Sequence, residues 1–143
     1  MTRDQILTIA RTWIGTRYHH QAAVKGAGCD CIGFIIGLYR EVTGLETAAI
    51  PPYSLTWSEA SREDILINMM SDHLDRIPIN KAKPADMIVF RFKPEYVAKH
   101  AAVLSSQNTM IHTQERFKVQ EVHLNPWWTR RITAAFRFRN VSD

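Results

Sequence analysis

Apolar positions near the start of the chain recur at helical spacing, while those in its second half come in short runs broken by polar punctuation. Ile6, Ile9, Ala10 and Trp13 share one helix face behind Thr2, a residue suited to capping, and Gly15 stops the run. Thr16 to Gly28 is polar and glycine-containing, with Tyr18, His19, His20 and Gln21 close together, and predicts an ordered loop. A second helix is predicted from Asp30 or Cys31 through Phe34, Ile35, Leu38 and Tyr39 to Val42, with Gly44 where a left-handed C-terminal cap belongs. Leu45 to Trp57, containing Pro51 and Pro52, predicts an irregular connection. Ser58 or Ser61, the latter with Asp64 three residues on, then caps a third helix ending near His73.

From Asp75 onward the period shortens. Arg76 to Ile79, Met87 to Phe92, His100 to Leu104, Met110 to Thr113, Val119 to Val122 and Ile132 to Phe138 predict strands of an antiparallel sheet. Helices first and strands afterwards is the α+β pattern, here N-terminal helices packed on a sheet of five to six strands. The 143 residues, 45% of them hydrophobic, suit one domain spanning 1–143, able to bury about two thirds of its unfolded surface. No internal repeat or low-complexity tract divides it.

Charge adds little. The formal net charge of +4 is spread along the chain, with a local cluster at Arg130, Arg131, Arg137 and Arg139. No aromatic-rich RNA signature accompanies the cluster, so it reads as a solvated strand face and nucleic acid is not an expected partner. No apolar run is long enough for a signal peptide or a membrane span, and synthesis as a soluble cytosolic chain is expected.

Candidate chemistry centres on Gly26-Ala27-Gly28-Cys29-Asp30-Cys31-Ile32-Gly33-Phe34, which places a thiol at a loop-to-helix junction. Unpaired N–H groups and the helix dipole favour negative charge there, so a Cys31 thiolate is expected to be stabilised, and the same N–H groups can receive an oxyanion. A cysteine in such a place, taken alone, is more often a small buried hydrophobe. His100 and His112 change the balance: each sits in a predicted strand. A hairpin with an odd-numbered loop around Ser106 would put both on one sheet face, directly opposed or nearly so. One imidazole can then orient the other, and a thiol with an oriented base is the triad arrangement of cysteine hydrolases. Bridging Cys29 to Cys31 would close a strained small ring, so both are read as free thiols. A metal site made of Cys29, Cys31 and nearby histidines stays open, although one intervening residue is tight for zinc ligands. No cofactor is otherwise called for.

The sequence resembles the NlpC/P60 family of papain-like cysteine peptidases, and more narrowly its phage and gene-transfer-agent tail branch. The segments that carry the resemblance are Trp13-Ile14-Gly15-Thr16-Arg17-Tyr18 with His20-Gln21, Lys25 to Gly28, Asp30 to Phe34, Tyr39-Arg40-Glu41 with Gly44, and Pro84-Ala85-Asp86. Ala98 to Ala101, Ile111-His112, and Trp127 to Ile132 with Ala134 to Phe138 complete them. The resemblance implies Cys31 as nucleophile, His100 as general base and acid, and His112 as the group orienting His100. It also implies Tyr18 near the oxyanion position and Asp30 as a group that helps hold the amino group of the substrate peptide. Its substrate class is the amide bonds of peptidoglycan stem peptides, often between D-γ-glutamate and a diamino acid. Its implied setting is a phage-like virion tail tip, with tail-tip or hub proteins as partners. A rival reading keeps the fold as a structural tail-tip protein with weak or no catalysis, contacting subunits through Trp127, Trp128 and the C-terminal arginines. The same residues would also serve a transferase or amidase acting on another acyl substrate. Cys29 departs from the small aliphatic residue usual at its position, Arg17 from proline, and Ala85 from the glycine that normally precedes the strand aspartate.

Overall fold

Thr2 caps the first helix, α1 (Arg3–Arg11), by a reciprocal pair of bonds with Gln5, and the turn after it reaches Gly15 at φ +94°. The computed structural model describes residues 1–45 and 64–143. After α1, the segment expected to be an ordered loop contains a small hairpin, β1 (Ala23–Val24) and β2 (Gly28–Cys29), paired Ala23 to Cys29 and Val24 to Gly28. The second helix, α2 (Cys31–Thr43), begins at the Asp30 cap and ends at Gly44, whose φ of +72° is the left-handed cap the sequence places there. Trp13 seats its ring directly against Gly37 of α2, where an added Cβ would lie 2.2 Å from the indole. This fixes how α1 crosses α2.

The expected connection through Pro51-Pro52 and the caps at Ser58 and Ser61 lie outside the described residues. The third helix, α3 (Ile65–His73), ends where predicted. Six strands follow: β3 (Asp75–Ile77), β4 (Met87–Phe90), β5 (His100–Leu104), β6 (Thr109–His112), β7 (Gln120–His123) and β8 (Ile132–Arg137). They form one antiparallel sheet in the order β3-β8-β4-β5-β6-β7, the upper figure of the expected count. A helical turn not expected from the pattern, α4 (Pro126–Thr129), precedes β8.

Both faces of the sheet are covered, which is why its central strands read as continuous apolar runs. Met87, Val89, Ala101, Val103 and Ile111 face α2 and its neighbours, and Ile88, Phe90, Ala102, Leu104 and Met110 face Trp128 of α4. The arginine cluster read as a solvated strand face is divided by function. Arg137 of β8 and Arg3 of α1 close on the buried carboxylate of Asp86, at 2.8 and 2.9 Å, tying helix to sheet. Arg130 and Arg131 instead follow α4 before the strand starts. Among the described residues no helix is long and apolar enough to cross a membrane.

Candidate active site

Asp30 decides where α2 begins. Its Oδ1 accepts from the Gly33 N–H at 2.7 Å and its Oδ2 from the Gln21 N–H at 2.7 Å, so one buried carboxylate both caps the helix and pins the preceding loop. Gly33 lets that loop come close: an added Cβ would sit 1.8 Å from the Ala22 carbonyl oxygen. Cys31 is thereby set on the first turn of α2, pointing toward the start of β5. Its Sγ donates to the Lys99 carbonyl, 3.5 Å away.

His100 is the first residue of β5 and His112 the last of β6. The hairpin pairs Val103 with Ile111 and Leu104 with Met110, so an odd number of residues, the five of 105–109, lies between the last paired positions. Alternation then puts both histidines on one face, offset by one diagonal step, as the sequence predicts. His100 Nε2 lies 2.9 Å from His112 Nδ1, with both residues buried. That contact occupies Nε2 and leaves Nδ1 as the His100 nitrogen able to address a thiol. Cys31 and His100 line one cleft of about 290 Å³, together with Tyr18, Asp30, Thr113 and Gln114. Tyr18 is held at its wall by its own N–H, which donates to the Phe117 carbonyl, and by a bridge to Cys29.

Electrostatics correct one expectation. The helix start does not leave Cys31 as a stabilised thiolate: burial first, and the adjacent Asp30 carboxylate second, push the thiol up to about 12. The N–H groups of Ala101, Ile32 and Cys31 itself oppose this without overcoming it. Burial, and then the neighbouring His112, hold His100 well below the ordinary histidine value; burial alone brings His112 down to about 4. Tyr18 is raised, chiefly by burial and next by Cys31. The resting site is therefore a neutral thiol beside a neutral imidazole pair. For His100 Nδ1 to be the free base, the ring proton must sit on Nε2 and His112 Nδ1 must accept it.

Trp128 is the group sequence reasoning did not place in the site. Its ring lies 5.2 Å from His100 and 5.1 Å from His112, and Phe90 and Phe92 complete the apolar wall around His100. Asn125-Pro126 was the readable signal: Asn125 Oδ1 accepts from the Trp128 N–H and Pro126 takes the first helical position, so α4 starts there. Trp127 beside it is 43% exposed. Cys29 is fully buried in the core cluster, its thiol pushed up to about 12 by burial and Asp30. Asp30, expected to meet a substrate amino group, lines the cleft with both oxygens already engaged by backbone donors. Among the described residues no group of three or more His, Cys, Asp or Glu side chains converges to hold a metal ion.

The NlpC/P60 family model matches residues 15–137. This chain belongs to the NlpC/P60 family. Solved structures repeat the fold: an NlpC/P60 protein from Bacillus cereus aligns at a TM-score of 0.70 and 20% identity, over 96% of this chain and 40% of its own. The NlpC/P60 domain of the peptidoglycan hydrolase SagA aligns at 0.67 and 21% identity, over 96% of this chain and 100% of that domain. RipD of Mycobacterium tuberculosis, described as a non-catalytic NlpC/P60 protein adapted to binding peptidoglycan, aligns at 0.62 and 16% identity, over 94% and 95%. A lipoprotein-like NlpC/P60 protein of Staphylococcus aureus aligns at 0.67 and 17% identity; the chain spans 42% of its length. No curated protein matches the sequence. The fold is thus that of NlpC/P60 peptidoglycan hydrolases, a family whose members are generally cysteine hydrolases and in which some domains bind without cleaving.

Proposed function

We propose that this NlpC/P60 domain is a cysteine peptidase cleaving amide bonds of peptidoglycan stem peptides, of the D-γ-glutamate to diamino acid type, at the tip of a phage-like tail. The observation that carries the catalytic part is the 2.9 Å contact between His100 and His112, on a cleft that Cys31 shares. Cys31 Sγ attacks the scissile carbonyl carbon while the thiol proton passes to His100 Nδ1, and the C–N bond breaks as His100 returns that proton to the leaving amine. Water, deprotonated by His100, then splits the thioester and regenerates the thiol. Because thiol and imidazole start neutral, the thiol proton must pass to His100 for Cys31 to act as nucleophile. The raised Tyr18 phenol stays protonated and is a donor for the oxyanion.

The substrate class is supported by the family and by SagA, itself described as a peptidoglycan hydrolase. The tail-tip setting, with hub or distal tail subunits as partners, rests on the sequence segments that resemble the tail branch. Antibody detection of the chain at one end of purified particles tests it; a chain found only in free lysate refutes it. Purified protein incubated with peptidoglycan should release soluble fragments, and Cys31→Ala should stop release without altering the fold. Mass spectrometry of the products identifies the bond, and would expose acyl transfer instead of hydrolysis. A binding-only role is the second reading, favoured by a thiol that donates to the Lys99 carbonyl and by the likeness to RipD. Equal, undetectable release by wild type and Cys31→Ala, with retention on the wall, would decide for it.

A further inference from the structure

The catalytic cleft does not end at Phe92. The same side chain lines a second groove, where Arg91, Arg130, Arg131, Ile132 and Thr133 meet. A register shift makes this groove: β4 pairs Val89 with Ala134 but Phe90 with Ile132, so Thr133 is bulged out and the Arg91 N–H bonds the Arg131 carbonyl at 2.9 Å. Arg91, just past β4, and Arg131, just before β8, are thus brought to one groove, and exposed Arg130 lines it with them.

Among the described residues this charge is compensated only in part: the carboxylate that pairs with this cluster is Asp64, 3.5 Å from Arg91. Arg131 lies 3.9 Å over the Trp127 ring and donates through Nη1 to the Trp127 carbonyl at 2.7 Å, contacts that orient its guanidinium plane but supply no negative charge. The Nε atoms of Arg91 and Arg131 are shielded from water and have no hydrogen-bond partner among the described residues. A bulge, an aromatic shelf and three arginines on one groove suit a planar or tetrahedral oxyanion, which arginine binds through paired N–H groups.

We propose that Arg91, Arg130 and Arg131 form an anion subsite that extends the cleft and holds an acidic group of the wall polymer flanking the cleaved peptide. The inference rests on the peptidoglycan reading for the identity of its ligand. Two sources offer that chemistry: free carboxylates of neighbouring stem peptides, and phosphodiesters of polymers attached to the wall. Ligand held here would approach the cleft along Phe92, so the subsite acts on recruitment of the polymer and not on the bond-breaking groups.

The test uses the full chain as Cys31→Ala, which leaves the wall intact, and measures its retention on purified sacculi across a salt series. Arg130→Gln/Arg131→Gln and Arg91→Gln should each weaken retention, the double variant about tenfold, and flatten its salt dependence. Arg130→Lys/Arg131→Lys should recover part of the loss. Sacculi stripped of phosphate polymers, and sacculi with amidated carboxylates, separate the sources: loss of retention on either one supports the subsite and names its ligand. Retention unchanged in the Arg→Gln variants, with wild-type circular dichroism, overturns the proposal, as does duplex DNA bound more tightly than sacculi. Hydrolysis of a soluble stem peptide by the unmodified chain is scored separately. Its absence would remove the peptidase reading while leaving arginine-dependent retention to stand or fall alone.

Discussion

His100 Nε2 and His112 Nδ1 are 2.9 Å apart with their rings at 86°, so a single proton joins the two imidazoles and selects the tautomer of each. His112→Gln can still accept through its amide oxygen, whereas His112→Ala leaves a buried donor unpaired, at a cost of about 1–3 kcal/mol in stability. On a soluble stem peptide, kcat should fall roughly 10²- to 10³-fold in His112→Ala and less in His112→Gln. Wild-type kcat in a folded His112→Ala protein would show that His100 needs no orienting partner.

Cys31 reactivity should report a thiol and not a thiolate. A value raised to about 12 leaves the group neutral at pH 7, and its reactive form grows as pH rises toward that value. Alkylation of the free protein by iodoacetamide, followed by mass spectrometry of the Cys31 peptide, should keep accelerating above pH 9. Buried Cys29 should stay unmodified over the same interval. A plateau in the Cys31 rate below pH 8 contradicts the neutral-pair resting state.

Ala85 holds φ at +80° in the turn that leads Asp86 into β4, a region where a Cβ crowds the backbone. The turn is not free to relax, since the Ala85 N–H donates to the Leu104 carbonyl at 2.7 Å and the Asp86 N–H to Lys83 at 2.9 Å. Ala85→Gly should stabilise the domain by about 1 kcal/mol in guanidinium unfolding. Equal or lower stability would mean that the strain is relieved elsewhere.

Much of this was legible because local chemistry and fold agree. The Thr2, Asp30 and Gly44 caps fixed two helices, and the odd span 105–109 fixed the shared face of His100 and His112. The β1–β2 hairpin was missed because two-residue strands carry no period to detect. The neutral state of Cys31 was missed for a different reason: a helix start argues locally for a thiolate, while the burial that outweighs it is a product of tertiary packing, which brings the thiol against the Lys99 carbonyl nearly seventy residues away. Sequence adjacency did show the other cause, Asp30, which both caps the helix and repels charge on the thiol.

Trp128 offers the sharpest test of the idea that burial sets the base. Burial is the largest cause of the lowered values of both histidines, and the Trp128 ring packs on each. Trp128→Leu opens that wall to water and removes part of the desolvation, so His100 should move up toward the ordinary histidine value. His100 must be neutral to take the thiol proton, so activity is lost as pH falls through its value. A higher value therefore carries the acid limb of kcat/KM upward, by about one pH unit. The variant should also lose roughly 2–4 kcal/mol of stability to the cavity, which leaves it folded at low temperature if the domain is ordinarily stable. Trp127→Leu, which alters an exposed ring stacked on Arg131 and not on the histidines, should leave the limb in place. An unmoved acid limb in folded Trp128→Leu would show that Trp128 is not the source of the burial that lowers His100.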